Sequence, residues 1–331
     1  MSSSFPDRPV LLQHPSGAEA EVLVHYGANL NRLRLVAGGN ALECIEPTAP
    51  ADMPAGWGVL KGVPVLFPFP GRVKGASYQA QGRTFGGLPV NDPDLPGNHI
   101  HGLVATLPWI LVERQESSCT SRIGSEDLPA GWRASYPFAF DLRLRHKLSA
   151  DRLEFLVTLS NPGETPLPFG FGLHPYLSLP LQGPGTRADC TLQVSAASYW
   201  PQQDFMPIGI VEALPPELDL HHPRKIRDLH GRPPNTVYRL DGVDRHESAA
   251  TLRDPDGRRR LDMRLSGEWN ALVVFRPPDG SAICVEPQTC VPNAVNLQDA
   301  EADPGWSELP AGASWSARVE LVAGREGTER G

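Results

Sequence analysis

Apolar and polar residues alternate along much of this chain, and the period is two. Between Tyr136 and Leu148, Phe138, Phe140, Leu142 and Leu144 fall on one side, while Asp141, Arg143 and Arg145 fall on the other. That alternation predicts a half-buried strand. A second strand follows near residues 152–160 and runs into the turn Asn161-Pro162-Gly163. Downstream, NALVVFRPPDGSAICVEP reads as a hairpin. Ala271 to Arg276 form one arm, Pro277-Pro278-Asp279-Gly280 the turn, and Ser281 to Glu286 the return. Residues 314–322 predict the last strand, and 20–27 and 31–39 the first two. A helical period does not persist beyond a couple of turns anywhere, and no repeat of fixed length recurs. Residues 200–235 are irregular and rich in proline, but no low-complexity linker divides the chain. The pattern predicts an all-β protein, a large antiparallel β-sandwich with few short helices. One domain is expected over residues 1–331, with its core at about 20–322 and a disordered tail, GREGTERG.

Composition sharpens this picture. Of 331 residues, 32 are Gly and 35 are Pro, which suits many strands joined by turns and disfavours long helices. The net charge is −8, and no basic run is interleaved with aromatics, so neither nucleic acid nor an anionic membrane is an expected partner. The local basic cluster HHPRKIRDLHGR (221–232) reads as a solvated loop, or as a site for an anionic substrate group. The N-terminus lacks a secretory pattern, and no apolar run approaches the ~18 residues of a membrane span. Five scattered cysteines form no C-x-x-C pair, which points to neither a zinc site nor a disulfide framework and fits a reducing cytoplasm.

Four segments carry candidate chemistry. In GFGLHPYLSLP (170–180), Pro175 pushes His174 toward an extended backbone, and Gly170 and Gly172 let a neighbouring chain or ligand come close. In VPVLFPFPGRV (63–73), Arg72 follows alternating prolines and apolar residues; its plain alternative is a surface ion pair. In GNHIHGLVATLPW (97–109), His99 and His101 would share one side of an extended segment, with Trp109 downstream as an apolar wall or a core residue. Such a pair is a possible metal site, but the next carboxylate, Glu113, is too distant for a cupin-like pattern. In ICVEPQTCVPNAVNL (283–297), Glu286 ends a strand among apolar neighbours, which predicts a partly buried carboxyl with a raised pKa.

Taken together, FPFPGRV, HIHG with Trp109, FGLHPYL, and VEPQT with PNAVNL resemble the ordered motifs of the aldose 1-epimerase (galactose mutarotase) family, over roughly residues 20 to 322. The resemblance implies a supersandwich with an open cleft, no cofactor, and a small-molecule sugar substrate. It implies His174 as general acid and Glu286 as general base, with Arg72 and His101 holding sugar oxygens. His99, Asn235, Gln288 and Trp109 complete the expected substrate-binding set; no metal ligand is expected. Two positions depart from the family pattern. Gly71 stands where an Asn is common, and Asn235 where an aspartate is usual, with Asp241 or Asp244 as substitutes. These departures leave open which aldose is used. Mutarotation needs one group to take the anomeric proton and another to protonate the ring oxygen, so Glu286 is expected ionised and His174 protonated. The rival readings are a hexose 6-phosphate epimerase, drawn from Arg224, Lys225 and Arg227, a non-catalytic carbohydrate-binding paralogue, a glycosidase, and a metal enzyme built on His99 and His101. The protein is expected to act as a monomer or homodimer.

Overall fold

The computed structural model describes residues 9–48, 61–182, 185–229, 233–240, 248–297 and 299–324. The segment expected to form the longest alternating strands does so. Asp141–Leu148 and Arg152–Ser160 pair antiparallel, with Leu142 opposite Leu159 and Leu144 opposite Val157. Their apolar faces therefore coincide, and every second residue is buried. Ser314–Gly324 adds to this pair with Val319 opposite Phe155. A nine-stranded sheet grows from that centre. Ser118–Gly124 and Ile110–Arg114 lie on one side; Arg260–Ser266, Ser248–Arg253, Thr191–Val194 and Arg224–Lys225 lie on the other.

A second, eight-stranded sheet carries the site. Across it run Glu212–Ala213, Ser198–Trp200, Asn235–Arg239, Ala271–Phe275, Ala282–Gln288, Gly172–Leu173 and Val65–Leu66, and Tyr176–Ser178 also pairs with Ala282–Gln288. Ala282–Gln288 is buried along its whole length, as a central strand covered on both faces must be. A four-stranded sheet of Val10–Gln13, Glu19–Leu23, Asn29–Ala37 and Asn40–Glu43 completes the larger β structure. Among the described residues the only α-helix is Ala130–Ser135, and no helix is long and apolar enough to cross a membrane.

The boundaries differ from expectation where turns intervene. Tyr136, Phe138 and Phe140 are buried but precede the paired strand, which begins at Asp141. Phe67 packs edge-on against Phe140 at 4.9 Å, so this segment is held by aromatic packing rather than by a ladder. The strand expected over 20–27 ends at Leu23, and the irregular 200–235 region contains several two- and three-residue strands. The tail beyond Gly324 lies outside the described residues. All five cysteines are buried and unpaired.

Candidate active site

Register builds the centre of the site. Gly172 pairs with Gln288, and Tyr176 with Cys284, so the same antiparallel register sets His174 opposite Glu286. The two side chains meet, with His174 Nε2 3.1 Å from Glu286 Oε1. Both are almost fully buried, at 3% and 2% exposure. Gln288, two residues along the same face, donates from Nε2 to Glu286 Oε2 at 3.1 Å. The imidazole is clamped from the other side by Tyr176, whose ring stacks on it at 4.8 Å and 15°. The His174 amide donates to Pro64 carbonyl, which ties the histidine to the preceding segment of the sheet.

The flanking glycines permit this close approach. A Cβ at Gly170 would lie 2.4 Å from Cys290 Sγ, and one at Gly172 would lie 3.1 Å from Gln288 Cγ. At Gly71, φ is +71° and a Cβ would sit 2.7 Å from the Pro292 ring. The glycine at this departure from the family pattern is therefore required by a tightly packed proline.

His174 and Glu286 lie at the floor of a cavity of about 560 Å³. Arg72, His101, Asn235 and Gln288 also line it, so six of the eight expected site residues converge. The other two do not reach it. His99 is fully buried, hydrogen-bonds through Nδ1 to Pro89 carbonyl at 2.8 Å, and packs edge-on to Phe69. Trp109 is a core residue whose Nε1 donates to Val104 carbonyl. The shared side expected for His99 and His101 fails for a local reason. Val73 pairs with His99, and the ladder stops at Ile100 because His101 and Gly102 both turn to positive φ, 64° and 75°. A Cβ at Gly102 would meet Phe67 carbonyl oxygen at 2.2 Å. The turn swings the His101 ring to within 5.2 Å of the His174 ring. Among the described residues no group of three His, Cys, Asp or Glu side chains is arranged to hold a metal ion.

Burial sets the protonation of the central pair. Desolvation lowers the His174 pKa to about 3 and raises that of Glu286 to about 8; the Gln288 hydrogen bond and the Arg72 charge only partly offset the latter. At neutral pH these shifts favour the proton on Glu286 over His174, opposite to the ionised carboxylate and imidazolium expected from the sequence. His101 is also held well below the usual imidazole range, by burial first and then by the charges of His174 and Arg72.

Arg72 is neither a simple surface ion pair nor a free cation. Its Nε donates to Asp92 at 2.7 Å and its Nη2 to Asp94 at 3.0 Å, and its guanidinium lies 4.6 Å from the Phe205 ring centre. Asp92 is wholly buried and also accepts from the Asp94 and Leu95 amides, while Asp94 and Phe205 face the cavity. These three residues were not legible. The NDPDLPG signature announces a turn but not its partner, and Phe205 sits at positive φ in the proline-rich stretch. Tyr176 was closer to view, since period two places it on the face of His174. Arg224, Lys225 and Arg227 do not line the cavity. Arg224 donates to Asp219 and Pro216 carbonyls, and Lys225 and Arg227 pair with Asp189. Asp241 and Asp244 lie outside the described residues.

Comparison with known proteins gives one consistent family. The sequence model of the family described as aldose 1-epimerase matches residues 8–322. The uncharacterized protein YihR of Escherichia coli K12 is 26% identical over 281 residues, covering 83% of this chain and 82% of that protein. The uncharacterized protein YphB of the same organism is 31% identical over 159 residues, about half of each chain (48% and 49%). The fold matches a galactose mutarotase-like protein from Clostridium acetobutylicum with a TM-score of 0.82 at 20% identity, covering 94% of this chain and 93% of that one. It also matches galactose 1-epimerase from Lactobacillus acidophilus with a TM-score of 0.72 at 20% identity, covering 95% and 93%.

Proposed function

The chain belongs to the aldose 1-epimerase family, and on that premise we propose that it interconverts the α and β anomers of a free aldose by acid–base ring opening and closure. The observation that carries the reading is the His174–Glu286 pair at 3.1 Å on the cavity floor. Two groups holding one exchangeable proton between them are what the reaction consumes and returns. The base takes the anomeric hydroxyl proton, and the O–H electrons become the carbonyl π bond. The bond from the anomeric carbon to the ring oxygen breaks, and the ring oxygen keeps that pair and takes a proton from the acid. Rotation about the adjacent carbon–carbon bond presents the other carbonyl face, and the steps reverse.

The roles implied by the resemblance need the ionised tautomer, Glu286 carboxylate with His174 imidazolium. It lies one proton transfer away across the 3.1 Å contact between His174 Nε2 and Glu286 Oε1. A bound sugar's hydroxyls, together with the Arg72 charge, would supply polarity that favours the ionised form over the effect of burial. His101 and Arg72 line the cavity and would hold sugar oxygens, while Gln288 donates to the Glu286 carboxyl and would orient it. A positioned acid or base contributes on the order of 100- to 10,000-fold.

Polarimetry of freshly dissolved α-D-glucose and α-D-galactose tests the reading. Acceleration by the purified protein, reduced at least ~100-fold in His174→Asn and Glu286→Gln, is the expected result. Wild-type rates in both variants would remove the pair from the mechanism.

A further inference from the structure

We propose that the cavity holds a second subsite beyond the catalytic pair, and that the preferred substrate is a neutral saccharide of at least two units with its reducing end at His174 and Glu286. The inference rests on the epimerase reading. Its basis is the direction in which the cavity extends. Along Ala282–Gln288, Cys284 follows Glu286 on the same face at about 6–7 Å, and Cys284 pairs with Phe275 on one neighbour and Tyr176 on the other. Tyr176 and Phe275 therefore form the next row of the floor, leading away from the catalytic pair. Beyond them the turn after Phe275 contributes Pro277, Pro278 and Asp279 to the wall.

The far end is built as firmly as the catalytic end. Lys61 Nζ donates to Asp279 Oδ2 at 3.1 Å and to Ser281 Oγ at 3.0 Å, and Asp279 Oδ1 accepts from the Ser281 amide and hydroxyl. Lys61 and Asp279 line the cavity, and the Asp279 carboxylate remains 54% exposed to take further donors. Five residue steps along the chain separate Ser281 from Glu286, about 16 Å. That span exceeds one sugar ring, and the volume of about 560 Å³ is likewise more than one ring fills. Apolar proline and aromatic surface with a fixed donor and acceptor is the usual make-up of a small-molecule site.

The charges name the class. Arg72 is paired with Asp92 and Asp94, and Lys61 with Asp279, with Glu46 at 4.0 Å. Among the described residues, neither cation facing the cavity carries surplus positive charge, and a phosphate or carboxylate would confront Asp94 and Asp279. A neutral polyol meets no such repulsion.

Anomeric exchange measured by NMR on equilibrated glucose, maltose, cellobiose and glucose 6-phosphate tests the proposal. The expected kcat/KM for at least one disaccharide exceeds that for glucose by about tenfold. Asp279→Ala and Lys61→Met should bring it down to the glucose value while leaving glucose unchanged. Disaccharides no better than glucose, a preference untouched in both variants, or a preference for glucose 6-phosphate would each overturn it. Absence of exchange with every sugar would overturn the epimerase reading instead. Calorimetric titration of Glu286→Gln then judges the subsite alone: tighter maltose than glucose supports it, and equal or no binding overturns it.

Discussion

Under the proposed mechanism, the single proton held between His174 and Glu286 sets the pH range in which the site would work. Burial places the two limits near pH 3 and pH 8. The rate of mutarotation should therefore be flat through neutrality and fall about tenfold per pH unit above pH 8, as the pair loses its proton. In Glu286→Gln that alkaline limb disappears along with most of the rate. The same shift has a stability consequence. The folded pKa is raised from 4.5 to about 8, so the native state holds a proton that the unfolded state releases, and stability falls as pH rises through that window. Glu286→Gln should gain on the wild type by up to ~4 kcal/mol at pH 9 and little at pH 4, as read from urea midpoints. Arg72 invites a different experiment from the one its motif suggests. Its loss strands the buried Asp92 carboxylate, so Arg72→Ala should cost ~3–5 kcal/mol of stability as well as affinity. Asp94→Asn, at a side chain 62% exposed, keeps the buried pair and should change KM with kcat retained.

At the scale of strands and turns, glycine placement separates tolerable changes from intolerable ones. Gly102 needs φ +75° and lies against the Phe67 backbone, which cannot move aside without breaking the sheet. Gly172 lacks a positive φ, and a Cβ there would meet the Gln288 side chain and the Pro70 ring at 3.1 Å and the Pro287 carbonyl at 3.3 Å, close but short of an outright clash. Gly102→Ala should therefore destabilise by more than ~3 kcal/mol, and Gly172→Ala by ~1–2 kcal/mol with a lowered kcat because Gln288 is pushed off Glu286. Thermal melts and polarimetry of both variants check the order. The legible and illegible parts of the site divide along the same line. His174, Glu286 and Gln288 lie in regular extended chain, where period two and antiparallel register fix who faces whom. His99 broke the expectation because a positive φ at His101 interrupts that period. Asp92, Asp94 and Phe205 reach the cavity from turns, where sequence announces a change of direction but not its destination.

The whole molecule was legible in its class, since the alternation at 141–160 and 314–322 and the hairpin at 271–286 recur as central strands of the two large sheets. Their packing was not, because period two states that a face is buried without stating against what. One product of that packing is a set of buried imidazoles. His99 is held to about pKa 4, His146 and His174 to about 3, and His101 well below its usual range, all chiefly by desolvation. Between pH 6.5 and those values the unfolded chain binds protons that the native chain refuses. Stability must then fall with falling pH, each histidine adding up to about 1.4 kcal/mol per pH unit, and one buried carboxyl with the opposite sign does not offset four imidazoles. His146 isolates the effect. It lies outside the cavity, in the nine-stranded sheet, with its ring against Phe155 and both nitrogens buried without a hydrogen-bond partner. A hydrophobic replacement removes the ionisation and the two orphaned polar atoms together. His146→Leu should thus raise the urea midpoint more at pH 5 than at pH 7.5 and leave mutarotation unchanged. An equal gain at both pH values would show that lost polarity, not proton linkage, governs the acid sensitivity of this core.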